Sequence, residues 1–340
     1  MALADYETYC AMLDRARAER FAYPAINVLD VNTLNAAIEG FAEAESDGIV
    51  AVSIAAGLHT SGRLKDPVIG ALTLAEHAQR LAVEYGVTIA VHTDHCPTDK
   101  IDSFLDPLLM QSAKRRMAGR PPLFQSHMYD GSALPLAENL RYAVDLAKRC
   151  ANHGILLEVE AGVVGGEEDG MRASADAKLY STPEDMIAVY EALEPIVGRH
   201  FMLAATFGNV HGVYKPGHVK LKPAILKAGQ DAVAAKHGED ARLWLVFHGG
   251  SGSSDEEIHE TLDYGVIKMN VHTDTQYAFT RGVADHMFRN YDGVLKVDGE
   301  VGRKQDYLAS TWLDCGKDWM VKRVVEACTV LRSAGRSLKG

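Results

Sequence analysis

Eight short apolar runs, each ending in polar residues and each followed by a stretch of helical spacing, constrain this chain more than any other feature. The runs are Ala22–Val28, Ile49–Ala55, Thr88–His95, Leu123–Asp130, Ile155–Gly162, Phe201–Asn209, Arg242–Gly249 and Val266–Thr273. They are rich in Val, Ile, Leu and Phe and alternate only weakly, as strands buried on both faces of a parallel sheet do. Between them, Leu34–Glu45, Leu72–Tyr85, Leu136–Cys150 and Thr275–Phe288 have helical spacing. Ser181-Thr182-Pro183-Glu184-Asp185 carries a capping hydroxyl and a proline suited to a first helical turn. Eight such units over 340 residues predict an α/β chain folded as a (β/α)8 TIM barrel. A doubly wound sheet is the alternative, but no G-x-G-x-x-G follows the first run. No low-complexity linker divides the chain, so residues 1–340 are expected to form one domain with a C-terminal helical extension.

Charge and cysteine usage narrow the partners. With 35 Lys and Arg against 46 Asp and Glu, the formal net charge is −11, which disfavours nucleic acid and anionic membranes but leaves room for a local phosphate pocket. No apolar run approaches a membrane span, and the N-terminal residues lack the basic and apolar regions of a signal peptide. Cys10, Cys96, Cys150, Cys315 and Cys328 are odd in number and widely spaced, which fits a reducing, cytoplasmic setting without a disulfide framework.

The polar residues cluster at the ends of the runs: Asp94-His95, Asp130, Glu158-Val159-Glu160, Asn209-Val210-His211-Gly212, His248-Gly249-Gly250-Ser251 and Asn270-Val271-His272-Thr273-Asp274. A parallel barrel gathers all these ends on the face where active sites are built. One histidine at a strand end is ordinarily structural. Three on one face, His95, His211 and His248, with carboxylates beside them suit Zn²⁺, which takes imidazole and carboxylate ligands and leaves a position for substrate. His77, His153, His237 and His259 lie in helical stretches and are read as structural. There is no H-E-x-x-H, nucleophile elbow or P-loop. Two glycine-rich turns follow the second and third of these histidines, and Lys215 lies in the first; together they suggest a phosphorylated small-molecule substrate. Two stretches exceed ordinary connections: Cys96–Pro122, which holds Lys114-Arg115-Arg116, and Gly162–Ser181, which holds Gly165-Gly166-Glu167-Glu168-Asp169-Gly170. The second is either a mobile active-site loop or a solvated acidic loop.

In this setting the chain resembles the class II, zinc-dependent fructose-bisphosphate aldolases of the longer bacterial type, from about Tyr23 to Val301. The resemblance rests on Tyr23-Pro24-Ala25-Ile26-Asn27, His92-Thr93-Asp94-His95-Cys96, Phe124-Gln125-Ser126-His127-Met128, the Gly165–Gly170 segment, Phe207–Gly217, Phe247–Ser253 and Lys268-Met269-Asn270. It implies that His95, His211 and His248 hold the catalytic zinc, with Glu160 and Asp130 taking it in a more buried location. It implies that Asp94 exchanges a proton with the substrate C4 oxygen. It also implies that Glu168 removes the C3 proton of dihydroxyacetone phosphate. Gly212, Lys215, Gly249, Gly250, Ser251, Asn270 and Thr273 match positions that hold the donor, and Asn27 and Ser53 match further pocket positions. A monovalent cation, K⁺ or Na⁺, and a homo-oligomer, dimer or tetramer, also follow from the resemblance. The chemistry agrees: a carbanion beside a ketone needs an electrophile, a base shielded from water and a second proton-handling group. A lysine Schiff base is the other route to that carbanion, and Lys268 raises it, but this lysine belongs to the matched Lys-Met-Asn segment.

Three departures fall on the aldehyde side. His272 stands where the family has Asp, and Ile54-Ala55-Ala56-Gly57 stands where a Gly-Gly pair follows the serine. Near Ser310 the family's Asp-Pro-Arg is absent, and with it the arginine that grips the distal phosphate from a neighbouring subunit. The resemblance therefore implies intact donor chemistry with poor cleavage of fructose 1,6-bisphosphate. The alternatives are the same mechanism with a different, even non-phosphorylated, aldehyde, and a catalytically silent sugar-phosphate-binding paralogue.

Overall fold

The structure, a computed structural model, describes residues 3–162, 165–168, 171–172, 180–211, 221–250, 252–295 and 302–338, with the backbone alone for 165–168, 171–172 and 210–211. Its strands are β1 (Tyr23–Asn27), β2 (Gly48–Val52), β3 (Ile89–Pro97), β4 (Ser126–Asp130), β5 (Leu156–Ala161), β6 (Gly165–Glu168), β7 (Met171–Arg172), β8 (Met202–Ala205), β9 (Val210–His211), β10 (Trp244–Phe247) and β11 (Val266–Val271). Without β6, β7 and β9, the remaining eight pair in parallel and in sequence order, and β11 closes on β1. The predicted (β/α)8 barrel is therefore the observed fold. Each barrel strand falls on one of the predicted runs, shifted by two residues at most at an overrun end.

The weak alternation of those runs has a structural reason, because both faces of each strand are covered. Tyr23, Ala25, Ile49, Met202 and Trp244 belong to an interior cluster completed by Tyr9, Met12 and Leu13 of the helix Tyr6–Glu19. Their strand neighbours Ile26, Val50, Leu203 and Leu245 pack in a second cluster with the surrounding helices. Asp5 starts the first helix by accepting from the Thr8 N–H at 2.8 Å, and Tyr9 reaches Ser126 inside the barrel. This helix occupies the N-terminal end of the interior, opposite the polar strand ends. The helix Pro183–Val197 begins as its sequence predicts: Thr182 and Asp185 form a reciprocal capping box, with Pro183 in the first turn. Such a cap stabilises by about 1 kcal/mol.

The Cys96–Pro122 stretch is helical rather than a long connection. Short turns over Thr98–Lys100 and Ile101–Leu105 lead into the helix Asp106–Met117, with Pro107 in its first turn and Lys114, Arg115 and Arg116 in its last. The basic triplet complements the negative end of the helix dipole. Part of the Gly162–Ser181 stretch is also ordered into strands: β6 pairs antiparallel with β7 and parallel with β9. The last long helix, Ala309–Val330, lies against Val31–Glu43 and Thr273–Arg289. A Cβ at Gly282 would stand 2.4 Å from the Cys315 carbonyl, so glycine permits this close helix approach. No helix among the described residues is long and apolar enough to cross a membrane.

Candidate active site

Neighbouring residues on a strand normally point to opposite faces, yet Asp94 and His95 both serve one cluster. The register explains how. Thr93 pairs with His127 and Cys96 with Tyr129, so β3 carries one extra residue across the Asp94–His95 step. Such a bulge re-aims a side chain. Asp94, His95 and His248 then bring ligand atoms within 4.8 Å of one another.

The orientation of the two imidazoles follows from their other nitrogens. His95 Nδ1 faces Asp130 Oδ2 at 3.0 Å, and His248 Nε2 faces Glu158 Oε1 at 2.8 Å. Ionised carboxylates only accept, so each of these nitrogens carries the proton. In neutral rings that leaves His95 Nε2 and His248 Nδ1 as the unprotonated atoms, and they face each other at 3.1 Å. Burial keeps His248 neutral by pushing its pKa down, partly offset by Glu158. Two lone pairs converging beside a carboxylate repel one another without a cation between them. A donor set of two imidazoles and a carboxylate, each imidazole backed by an acid, suits a divalent metal.

Glu160 lies on the same side, with Oε2 3.6 Å from His248 Nδ1 and 3.9 Å from His95 Nδ1. His95, Asp130 and Glu160 form a second possible metal-holding group. Burial pushes the Asp130 carboxyl up, but its hydrogen bond to His95 and the contacts from Ser132 outweigh this and hold it well below the carboxylate range.

Asp94 is almost fully buried and held at both oxygens. Asn27 at the end of β1 donates to Oδ2 at 2.7 Å, and Asn270 on β11 donates to Oδ1 at 3.0 Å. Asp94, His95, Asp130, Glu160, His248 and Asn270, drawn from the polar strand ends, therefore lie together, and Asn27, named by the resemblance, joins them. Gly249 follows His248 with φ +63°, in the left-handed region, and a Cβ on Gly250 would stand 2.1 Å from Met269 Cε. The backbone turn after His248 accordingly favours glycine at 249, while at 250 a side chain would have to displace the tip of Met269. His272 sits at the N-cap of the helix Thr273–Arg289, and Thr273 is its first residue; both are half-buried. Ser53 uses its hydroxyl to accept from the Ala56 N–H and cap the helix Ile54–Thr60.

His211 is described by its backbone only. Gly166 of β6 pairs with His211 of β9, and Glu168 lies two residues further along β6, where it pairs with Met171 of β7. Gly212, Lys215 and Ser251 lie outside the described residues. Of the histidines read as structural, His77 meets Asn35, His237 meets Glu191 and His259 meets a backbone carbonyl.

The polar strand-end pattern gives no role to Glu158, and the matched Lys-Met-Asn segment gives Lys268 none as a nucleophile. Both are fully buried, and Lys268 Nζ donates to Glu158 Oε2 at 2.9 Å and to Asn270 Oδ1 at 2.6 Å. An ammonium donating to a carboxylate and an amide oxygen has no free lone pair for a Schiff base. Burial pushes the Glu158 carboxyl up, but the charge of Lys268 and the contacts of His92 and His248 bring it well below the usual range. The signal available in the sequence was the two-residue spacing from Glu158 to Glu160 and from Lys268 to Asn270, which puts each pair on one strand face. Asn209, quoted only as a strand end, donates to the His248 carbonyl at 2.7 Å and fixes that segment.

Fold and side chains together define a barrel enzyme with a metal-suited, acid-backed histidine centre. Comparison with known proteins makes this specific. The family model for class-II fructose-bisphosphate aldolase matches residues 7–336. The chain is 55% identical over 340 residues to the fructose-bisphosphate aldolase of Streptomyces galbus, covering 100% of both chains. It is 55% identical over 344 residues to that of Mycobacterium tuberculosis strain H37Rv, covering 99% of each. The crystal structure of the fructose-bisphosphate aldolase of Campylobacter jejuni superposes with a TM-score of 0.88 at 35% identity, over 98% of this chain and 97% of that one. The chain belongs to the class-II fructose-bisphosphate aldolase family, and it is a carbon–carbon lyase of that class.

Proposed function

We propose that the chain catalyses a reversible, zinc-dependent aldol reaction with dihydroxyacetone phosphate as donor, and that fructose 1,6-bisphosphate is the first cleavage substrate to try. The observation that carries this reading is the facing pair His95 Nε2 and His248 Nδ1, each backed by a carboxylate and both beside Asp94. His95, His248 and His211 would hold the metal, with Glu160 and Asp130 offering a more buried alternative. When bound, Zn²⁺ supplies a Lewis acid for the negative charge that develops on the ketone oxygen.

The remaining steps belong to the chain. Glu168 takes the C3 proton of the donor, the role the family resemblance implies for it and one a carboxylate can fill. Asp94, turned by two amide donors, exchanges a proton with the C4 oxygen. The turns at Gly212–Lys215 and Gly249–Ser251, with Asn270 and Thr273, hold the donor and its phosphate through backbone N–H groups and the lysine charge. Ser53 belongs to the same pocket, and a monovalent cation, K⁺ or Na⁺, accompanies the phosphate. The protein works in the cytoplasm as a single-domain homo-oligomer, without nucleic-acid or membrane partners. Retention of Asp94 and Glu168 argues against a silent paralogue, because binding alone requires neither.

A second reading keeps the mechanism and changes the aldehyde. His272 at the N-cap beyond Asn270 favours it, together with Ser310, exposed in the first turn of the helix Ala309–Val330. An imidazole there can meet an acceptor anion other than a phosphate. Coupled cleavage and condensation assays over a panel of aldehydes, with dihydroxyacetone phosphate fixed, test both readings. Activity with no aldehyde, and no donor exchange, would overturn the function.

A further inference from the structure

A fully buried lysine inside a barrel is costly unless its charge is matched, and an apolar residue of similar volume would often serve stability as well. Lys268 contacts two acceptors on different sides of the site. It is aimed there by an irregularity in β11: Leu245 pairs with Val266 and Val246 with Lys268, so β11 carries an extra residue at Ile267. Ile267 joins the interior cluster, and its neighbour Lys268 also reaches inward, across the barrel to Glu158 on β5.

The two contacts have consequences that follow from donor and acceptor counts alone. An ammonium has three donors and no acceptor. Asn270 must therefore turn its oxygen toward Nζ, and its NH₂ is left to donate to Asp94 Oδ1. With the amide reversed, an oxygen would face the Asp94 carboxylate. On the other side, Glu158 keeps one oxygen on Lys268 and the other on His248 Nε2, which turns His248 Nδ1 toward His95. Hydrogen-bond partners of this kind orient metal ligands and set their tautomers.

We infer that Lys268 and Glu158 are positioning residues that fix both halves of the site at once: the tautomer of His248 through Glu158, and the direction of the Asn270 amide against Asp94. This rests on the zinc-aldolase reading. It extends that reading to two residues that touch neither the proposed substrate nor the metal.

The test uses full-length Glu158→Gln, Lys268→Met and the double variant. Removing both charges avoids an orphaned buried ion, so the double variant should fold with a thermal midpoint close to the parent even if Lys268→Met alone does not. Zinc affinity is read by competition with a chromophoric chelator, and ligand geometry by the visible spectrum of the Co²⁺-substituted protein. The inference expects zinc affinity 10–100-fold weaker in Glu158→Gln and in the double variant, with an altered Co²⁺ spectrum. It also expects a lowered kcat at saturating zinc. Parent-like zinc affinity and Co²⁺ spectrum in a folded Glu158→Gln or double variant would overturn it. A parent protein that binds no zinc would instead overturn the function proposed above, so the two failures are distinguishable.

Discussion

His248 directs Nδ1 at Nε2 of His95 across 3.1 Å, although the two residues lie 153 positions apart in the chain. The opposite ring nitrogens face Glu158 and Asp130, so in neutral imidazoles the two facing nitrogens are the unprotonated ones. The fold has thus placed two lone pairs on one point, next to the buried carboxylate Asp94. A divalent cation converts this repulsion into attraction, and the proposed chemistry depends on it.

Metal content follows directly. The parent protein is expected to bind one Zn²⁺ per chain, and to lose activity on chelation and regain it when zinc is added. The combined His95→Ala, His211→Ala and His248→Ala variant is expected to retain no stoichiometric zinc after dialysis. Metal analysis beside activity checks this; full activity of the triple variant after exhaustive chelation would contradict it.

The base is assigned to Glu168. Glu168→Ala is expected to leave zinc content and donor binding nearly unchanged while slowing exchange of the donor's C3 proton by about 10²–10⁴. Exchange into deuterated water followed by NMR is the readout. Parent-rate exchange in the variant would remove Glu168 from the role.

Acceptor choice should differ from that of relatives carrying an arginine at the distal phosphate. Charge-assisted hydrogen bonds contribute roughly 1.5–3 kcal/mol each, so loss of a two-bond clamp is expected to weaken discrimination for a phosphorylated aldehyde by about 10²-fold or more. The measurement is kcat/KM for fructose 1,6-bisphosphate beside the donor exchange rate. A value of about 10⁴ M⁻¹s⁻¹ or above would show that another cation replaces the arginine.

Acid stability depends on two histidines deep in the barrel. Burial holds His92 and His127 down to about 3, against an ordinary value of 6.5, and their Nδ1 atoms meet Ser126 and Thr93. Below pH 6.5 the unfolded chain takes up protons that the folded chain refuses, so stability falls as pH falls toward 3. Each histidine contributes a slope of about 1.4 kcal/mol per pH unit between those limits. The urea midpoint of the zinc-free protein is expected to be clearly lower at pH 5 than at pH 7.5; equal midpoints would contradict the assignment.

The barrel was readable because parallel strands covered on both faces leave continuous apolar runs, and polar strand ends mark one face. That logic puts Asp94, His95, His248 and Asn270 on one face, and the structure brings them together there. It could not find the bulge in β3 that turns Asp94 and His95 to the same side, because register is a property of two strands and not of one. It also missed the Lys268–Glu158 pair, whose partners lie 110 residues apart, and it took the helix Asp106–Met117 for a connection. There the irregular turns before Pro107 obscure the helical period.

The most direct test of zinc-dependent donor chemistry needs no aldehyde. Dihydroxyacetone phosphate alone is incubated in deuterated water with zinc-loaded, zinc-stripped and zinc-restored protein, and loss of its C3 proton signal is followed. The account predicts exchange with the loaded protein, none above background after stripping, and recovery on restoring zinc. Exchange that survives exhaustive stripping, or its absence from the loaded protein, would contradict the account.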